Sequence, residues 1–123
     1  IERTQHNTGI VLNLALSYSG RTEILDACRA VARLAQEGKL DPERLTEQDL
    51  RAHLYTNGLP DPDLLIRTSG EMRLSNFLLW QTAYTELYVT EVLWADFSDE
   101  DFFRAVWEYQ SRERRFGGVA SPS

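Results

Sequence analysis

The sequence predicts an α/β fold in which a parallel β-sheet is flanked by helices. Three observations predict it: short apolar segments that end at polar loops, longer segments with helical periodicity, and the order strand–helix–helix–strand–helix–strand–helix along the chain. Strands in this order are joined by right-handed crossovers, which make neighbouring strands parallel. The length of 123 residues suits one domain.

Three segments are predicted to be strands because each is short and largely apolar. The first is apolar on both faces, as is typical of a central strand in a covered sheet, and the third has the weakest pattern. Three parallel strands leave edges to be covered, so we expect further strands to pair with them. In chain order the segments are residues 10–16, 63–68 and 86–89.

Four segments are predicted to be helices. The first carries apolar residues at helical spacing and stops at Gly38, the second begins with a capping box at Thr46, and the last is capped by Ser98. The third is short and apolar. The segments are residues 21–37, 46–53, 77–84 and 98–115, and the apolar stripe of the last one consists of Phe102, Phe103, Val106 and Trp107.

Composition limits the classes of function. The 13 Lys and Arg against 19 Asp and Glu give a net charge of -6, which argues against broad nucleic-acid binding. The single cysteine excludes a disulfide framework and a cysteine-based zinc site, and fits a reducing, cytoplasmic compartment. No run approaches 18 consecutive apolar residues, so the sequence contains no candidate membrane span.

Several residues of chemically versatile types have simpler interpretations. Glycine-rich nucleotide-binding motifs are absent, and the two histidines have no metal-ligand spacing. The cysteine lies on the apolar face of the first predicted helix and is interpreted as a core residue. The tryptophans are interpreted as core or interface anchors. The residues concerned are His6, His53, Cys28, Trp80, Trp94 and Trp107.

Polar loops follow two of the predicted strands, at the edge of the sheet where ligands gather in α/β folds. The first covers residues 17–21. The second, here called the arginine loop (residues 67–76), carries Arg67 and Arg73 with serine hydroxyls and the start of a predicted helix, which suits a phosphate or diphosphate. The alternative is that Arg67 simply pairs with Asp63 or Glu71.

Glu86 stands beside the third strand pattern. One carboxylate together with substrate phosphate oxygens is a common way to hold Mg²⁺. The alternative is an ordinary exposed glutamate at a strand edge, and without further observations the residue chemistry alone favours that alternative.

Several segments of the chain also resemble a known protein family. Residues 63–81, which read DLLIRTSGEMRLSNFLLWQ, resemble the signature of cis-prenyltransferases. Three further stretches agree with that family, namely residues 13–24 with a Tyr-x-Gly-Arg turn, Glu86-Leu87-Tyr88, and the RERRFGG segment at 112–118. Together they cover most of the chain in the expected order.

The resemblance implies a fold that encloses a hydrophobic tunnel and acts as a homodimer with Mg²⁺. It implies the stepwise cis-condensation of isopentenyl diphosphate onto an allylic diphosphate such as farnesyl diphosphate, making a lipid carrier for cell-wall synthesis. By matching positions, Arg67, Arg73 and Ser75 would bind the isopentenyl diphosphate, with Glu71 beside it. Glu86 would belong to the Mg²⁺ site, and Arg115-Phe116-Gly117 would complete the partner's site, with Gly117 contacting substrate.

The sequence also departs from the family pattern. Ser69 stands where a glycine often occurs, and the Asp-Gly-Asn-Gly-Arg segment with the essential aspartate is absent. We therefore expect residues 1–118 to be the C-terminal half of the enzyme, inactive alone, with the catalytic aspartate upstream and a mobile tail at 119–123. The alternative is a non-catalytic partner subunit. The expected location is cytoplasmic, with at most peripheral membrane association.

Overall fold

A computed structural model describes Thr4 and residues 6–112 of the chain. They form three α-helices, two β-strands and two single 3₁₀ turns. Within the described residues the two strands pair in parallel, with Leu64 opposite Glu86 and Arg67 opposite Val89. The predicted α/β class with a parallel sheet is confirmed. The elements are α1 (Gly20–Gln36), α2 (Glu47–Arg51), β1 (Leu64–Arg67), β2 (Glu86–Val89) and α3 (Asp99–Ser111), with 3₁₀ turns at Pro42–Arg44 and Trp94–Asp96.

Side-chain caps define where the helices begin. The Ser19 hydroxyl accepts a hydrogen bond from the Thr22 amide at the start of α1. Thr46 and Ser98 each make a full capping box, the first with Asp49 and the second with Asp101. The predicted starts of these helices are therefore confirmed, because a cap depends only on residues within one turn of the helix.

The predicted strand at residues 10–16 is wrong. This segment has no regular secondary structure, and Ile10, Leu12 and Leu16 are 96%, 79% and 82% exposed. A strand that is apolar on both faces needs paired strands beside it and layers above and below it. Neither strand of the described part of the chain pairs with this segment, so its apolar pattern has nothing to bury against.

The predicted helix at residues 77–84 is also wrong, because the segment consists of turns. Leu78 has a φ of 44° and Asn76 has a φ of 64°, both in the left-handed region, which a right-handed helix cannot include. A single helical hydrogen bond remains, from the Thr82 amide to the Leu78 carbonyl at 2.9 Å.

Helix α3 packs on the sheet through a different face from the one predicted. Ala105 is fully buried, whereas Phe102, Phe103 and Trp107 are 48%, 67% and 73% exposed. A small residue lets the helix backbone approach the sheet closely, which leaves the large aromatic side chains on the outer side. Of the two interpretations of Trp107, a core residue or an interface anchor, the exposure of its side chain rules out the core.

Two more core assignments are corrected by the structure. Cys28 is exposed because the buried face of α1 runs through Glu23, Ala27 and Val31. Trp94 is 78% exposed, which rules out a core role and leaves the interpretation as an interface anchor. Trp80 is half-buried, in agreement with a packing role.

The predicted end of the last helix lies partly outside the described residues. Helix α3 ends at Ser111, and Arg112 caps it with extended backbone. Arg115-Phe116-Gly117 and the predicted tail at 119–123 lie beyond the described part of the chain. Among the helices that the structure describes, none has the length and apolar content to cross a membrane.

Candidate functional site

The arginine loop gathers two guanidinium groups around one carboxylate. Arg67 is the last residue of β1, and its Nη2 pairs with one oxygen of Glu71. The Nη2 of Arg73 pairs with the other oxygen of the same carboxylate. The three side chains are 29%, 38% and 64% exposed for Arg67, Glu71 and Arg73, so a ligand from solvent can reach all of them. The cluster carries a net charge of +1.

Both arginines act on the ionisation of Glu71. The hydrogen bond from Arg67 lowers the pKa of the Glu71 carboxyl most strongly, the charges of both arginines lower it further, and partial desolvation opposes them. Glu71 is therefore ionised at neutral pH. Its carboxylate binds both arginines as an anionic ligand would. The pairing of Arg67 with Glu71 agrees with the alternative that the sequence analysis named.

The backbone of the loop is held against the segment that follows β2. The amides of Ser69 and Gly70 donate to the carbonyls of Val92 and Thr90, each at 2.9 Å. Ser69 has a φ of 66° and Gly70 a φ of 68°, so both adopt the left-handed conformation. Ser69, which stands where a glycine often occurs in the resembling family, thus adopts the conformation that a glycine would hold without strain.

Asn76 brings the two predicted polar loops together. Its carbonyl accepts from the Gly20 amide at 2.8 Å, and its side-chain Oδ1 accepts from the Arg21 amide at 2.9 Å. Its Nδ2 donates to the Ser19 hydroxyl at 2.9 Å. The start of α1 is therefore bonded directly to the end of the arginine loop.

Ser75 lies between Arg73 and Asn76 on this loop and is exposed. Its φ of 48° is left-handed. The structure thus places Arg67, Glu71 and Arg73 in one ion-paired cluster at the carboxyl end of β1, and Ser75 follows Arg73 by two residues on the same loop. This is the edge of a parallel sheet at which α/β proteins bind ligands.

Glu86 does not lie with this cluster. It is the first residue of β2 and stands opposite Leu64, three residues before the level of Arg67. At the rise of a parallel strand this separation is about 10 Å along the sheet. The strand register therefore puts Glu86 towards the opposite end of the sheet from Arg67 and the arginine loop.

Arg112 holds Glu86 in that position. Its Nη1 donates to Glu86 Oε2 and to the Leu87 carbonyl, both at 3.0 Å, and its Nη2 pairs with Glu108. The pKa of Arg112 is raised, first by the hydrogen bond to Glu108 and then by the one to Glu86. Two carboxylates and one carbonyl thus share one guanidinium at the junction of α3 and β2.

The side chain of Glu86 could supply one oxygen ligand to a metal ion. Carboxylate oxygen is the donor type that Mg²⁺ prefers, and the side chain is 28% exposed. Within the described residues no group of three or more His, Cys, Asp or Glu side chains is arranged to hold a metal ion. His53 instead has its Nδ1 2.8 Å from the Asp49 carbonyl, which is a structural contact of the kind expected from the sequence.

Sequence reasoning missed three residues of this region, Glu23, Asn76 and Gln81. Glu23 and Gln81 are 0% and 3% exposed and hydrogen-bond to each other at 3.0 Å. A signal for Glu23 existed in the sequence. It lies one and two helical turns before Ala27 and Val31, on the buried face of an amphipathic helix.

Comparison with known proteins gives the family. A family model described as "Putative undecaprenyl diphosphate synthase" matches residues 1–117. The chain belongs to this family. It is 56% identical over 119 residues to an isoprenyl transferase of Heliobacterium mobile and 59% identical over 120 residues to one of Listeria innocua. These matches cover 97% of the chain and 46% and 47% of the relatives, so the chain spans about half of their length.

Solved structures agree with this assignment. Lavandulyl diphosphate synthase from Lavandula x intermedia, crystallised with dimethylallyl diphosphate, matches with a TM-score of 0.89 and 43% identity over 93% of this chain and 49% of that one. A probable undecaprenyl diphosphate synthase from Campylobacter jejuni matches with a TM-score of 0.75 and 40% identity over 94% of this chain and 51% of that one. The predicted membership in the cis-prenyltransferases is confirmed.

Proposed function

We propose that the protein condenses isopentenyl diphosphate with an allylic diphosphate in the cis configuration and releases diphosphate. This chain contributes the isopentenyl diphosphate half of the active site. The observation that carries the proposal is the convergence of Arg67 and Arg73 on the single carboxylate of Glu71. Two guanidiniums that already share one anion are arranged for a ligand with several anionic oxygens.

The diphosphate would take the place that Glu71 occupies between the two arginines. Forked guanidiniums would bind its oxygens in pairs, and the exposed hydroxyl of Ser75 would donate a further hydrogen bond. Glu71 would then lie beside the bound substrate. The contacts of the loop to Thr90 and Val92 fix the backbone in advance, so that little ordering accompanies binding.

Magnesium is part of this proposal through Glu86. The carboxylate would supply one oxygen ligand, and phosphate oxygens and water would supply others. The ion would reduce the charge of the diphosphate groups. Because Glu86 lies about 10 Å from the level of Arg67 on the sheet, it would serve such an ion from its own end of the sheet.

We further propose a homodimer in which Arg115-Phe116-Gly117 completes the site of the partner subunit. Support comes from the outer face of α3, where Phe102, Phe103 and Trp107 are exposed, since large apolar patches mark interaction surfaces. The product would lie in a hydrophobic tunnel of the assembled enzyme. A cytoplasmic location with peripheral membrane contact suits a water-soluble substrate and a lipid product.

Steady-state kinetics of the intact protein test this function. Arg67→Ala and Arg73→Ala should each raise the KM for isopentenyl diphosphate by a factor of 30 or more, which corresponds to about 2–4 kcal/mol per lost charged contact. Arg104→Ala is the matched control, because this arginine is 64% exposed and makes only a 3.7 Å ion pair with Asp101 on α3.

Two results would contradict the proposal. Unchanged kinetics in both arginine variants would remove the assigned role of the loop. An intact protein that forms no product alone but raises the activity of a second cis-prenyltransferase chain would identify a non-catalytic partner subunit instead.

A further inference from the structure

The two carboxylate oxygens of Glu86 have different surroundings. Oε2 accepts a hydrogen bond from Arg112 Nη1 at 3.0 Å, whereas Oε1 accepts no hydrogen bond from any residue in the part of the chain that the structure describes. The side chain is 28% exposed, so an ion from solvent can reach it. A carboxylate with one oxygen held and the other open offers a single ligand atom, and the hydrogen bond to the held oxygen sets the direction of that atom.

The position of Arg112 does not depend on Glu86 alone. Its Nη1 also donates to the Leu87 carbonyl at 3.0 Å, so the guanidinium is bonded to the backbone of β2 as well as to a side chain. The Glu86 backbone is fixed in turn, because its amide donates to the Asp63 carbonyl at 3.0 Å. Arg112 therefore restrains the rotation of the Glu86 carboxylate from a position that the strand itself defines.

Glu108 balances the charge of Arg112. The Nη2 of Arg112 pairs with Glu108 Oε1, on the side of the guanidinium that Glu86 does not use. Glu108 lies four residues before Arg112 in the last turn of α3 and is 47% exposed. One guanidinium and two carboxylates give the group a net charge of -1. Without Glu108, a divalent cation would meet a neutral pair; with it, the group keeps one negative charge to attract the cation.

We propose that Arg112 is a positioning residue for the metal ligand Glu86, with Glu108 balancing its charge. Arg112 holds Oε2 so that Oε1 faces the divalent cation, and neither Arg112 nor Glu108 contacts the ion. Partners that bond to a metal ligand in this way typically change metal affinity by 10- to 100-fold. The inference rests on the proposed function, because Glu86 is taken there as a ligand of Mg²⁺.

Arg112→Lys in the intact protein tests the positioning role. Lysine keeps the charge, but its single ammonium group does not reproduce the fork that bonds Glu86, Leu87 and Glu108 together. The probe is Mn²⁺ in place of Mg²⁺, titrated in the presence of isopentenyl diphosphate, with free and bound Mn²⁺ distinguished by electron paramagnetic resonance. The Kd for Mn²⁺ should rise about tenfold.

Arg104→Lys is the matched control for this substitution. Arg104 lies on the same helix, is 64% exposed and makes only a 3.7 Å ion pair with Asp101. Its replacement should change the Kd for Mn²⁺ less than about twofold. A merely structural role of Arg112 would lower the number of Mn²⁺ sites per chain and leave the Kd of the remaining sites constant. A folded Arg112→Lys variant with the Kd of Arg104→Lys overturns the proposal.

Glu108→Gln keeps the proposal testable if Arg112→Lys does not fold. The substitution leaves the positive charge of Arg112 without its second carboxylate and should raise the Kd for Mn²⁺ about fivefold or more. Glu100→Gln removes the same charge from an exposed position in the first turn of α3 and should change the Kd less than about twofold. A larger rise in Glu108→Gln supports the proposal, and equal values overturn it.

Glu86→Gln separates this inference from the proposed function. In the same titration Glu86→Gln should lose most of the affinity for Mn²⁺. If it loses that affinity while Arg112→Lys and Glu108→Gln keep theirs, the inference alone is overturned. If Glu86→Gln binds Mn²⁺ as the wild type does, Glu86 is not a metal ligand, and the magnesium part of the proposed function fails together with the inference.

Discussion

The Gly20 amide donates a hydrogen bond to the Asn76 carbonyl oxygen at 2.8 Å, and this bond joins the start of α1 to the end of the arginine loop. The contact is close enough to exclude a side chain. A Cβ atom on Gly20 would lie 2.9 Å from that oxygen and 3.0 Å from Leu79 Cγ. The glycine at this position is therefore required by packing, although its φ is not in the left-handed region.

Gly20→Ala should destabilise the intact protein by about 1–3 kcal/mol, because the added methyl group forces the loop away from α1. Thermal or urea unfolding measures the change. Gly9→Ala is the control, since a Cβ at Gly9 meets nothing within 4 Å, and its effect should stay within about 0.5 kcal/mol. Equal effects of the two substitutions would contradict the close contact.

Ser69→Gly should stabilise the protein by about 0.5–1 kcal/mol. Ser69 has a φ of 66°. Removing the strain of a left-handed serine gains more free energy than is lost through the greater flexibility of a glycine in the unfolded chain. Ser69→Ala separates the backbone effect from loss of the hydroxyl, because alanine keeps the strain. A free energy of unfolding that is the same for both variants would argue against strain at this residue.

The capping box of α3 should make stability depend on pH. Hydrogen bonds from the Ser98 hydroxyl and then the Ser98 amide lower the pKa of Asp101 from its ordinary 3.8. A folded-state pKa below the unfolded value adds stability at pH values above the unfolded pKa, and the gain is lost as the pH falls through the folded value.

Asp101→Asn should therefore flatten the decrease of unfolding free energy from about pH 5 towards pH 2, and NMR titration of the carboxyl should give a pKa below the ordinary one. Asp99→Asn serves as the control, because Asp99 lies in the same turn without a capping contact. An identical pH profile for wild type and Asp101→Asn would count against the capping contribution.

Arg112→Ala should lower the free energy of unfolding by about 1–3 kcal/mol, since three partners lose their donor at the junction of α3 and β2. Arg104→Ala, an exposed ion pair on the same helix, should change it by less than about 0.5 kcal/mol. Denaturant unfolding measures both. If both substitutions change the free energy of unfolding by similarly small amounts, Arg112 does not stabilise the junction of α3 and β2.

The sequence shows which residues share the arginine loop, but it does not show how far Glu86 lies from them. Arg67, Arg73 and Ser75 lie within nine residues of one another, so their proximity follows from the chain itself. Glu86 matches a family position too, but its distance from Arg67 depends on the register between β1 and β2. Register is a relation between two segments, and the residues of one segment do not specify it.

The sequence by itself determined the class of fold, the starts of α1, α2 and α3, the positions of β1 and β2 and the grouping of Arg67 and Arg73 on one loop. These features depend on residues within a few positions of each other, such as Ser98 with Asp101, and the local chain can satisfy them alone. Only the tertiary structure decided which apolar faces are buried.

Long-range contacts decided the remaining features. Residues 10–16 read as a strand but have no strand to pair with in the described part of the chain. Glu23 lies on the buried face of α1, and the groups that surround it, a tyrosine hydroxyl, a backbone amide and a glutamine amide, come from other parts of the chain. Burial and pairing are properties of two surfaces that meet. They are set when distant parts of the chain come together, and the support of the arginine loop by α1 is decided at that step.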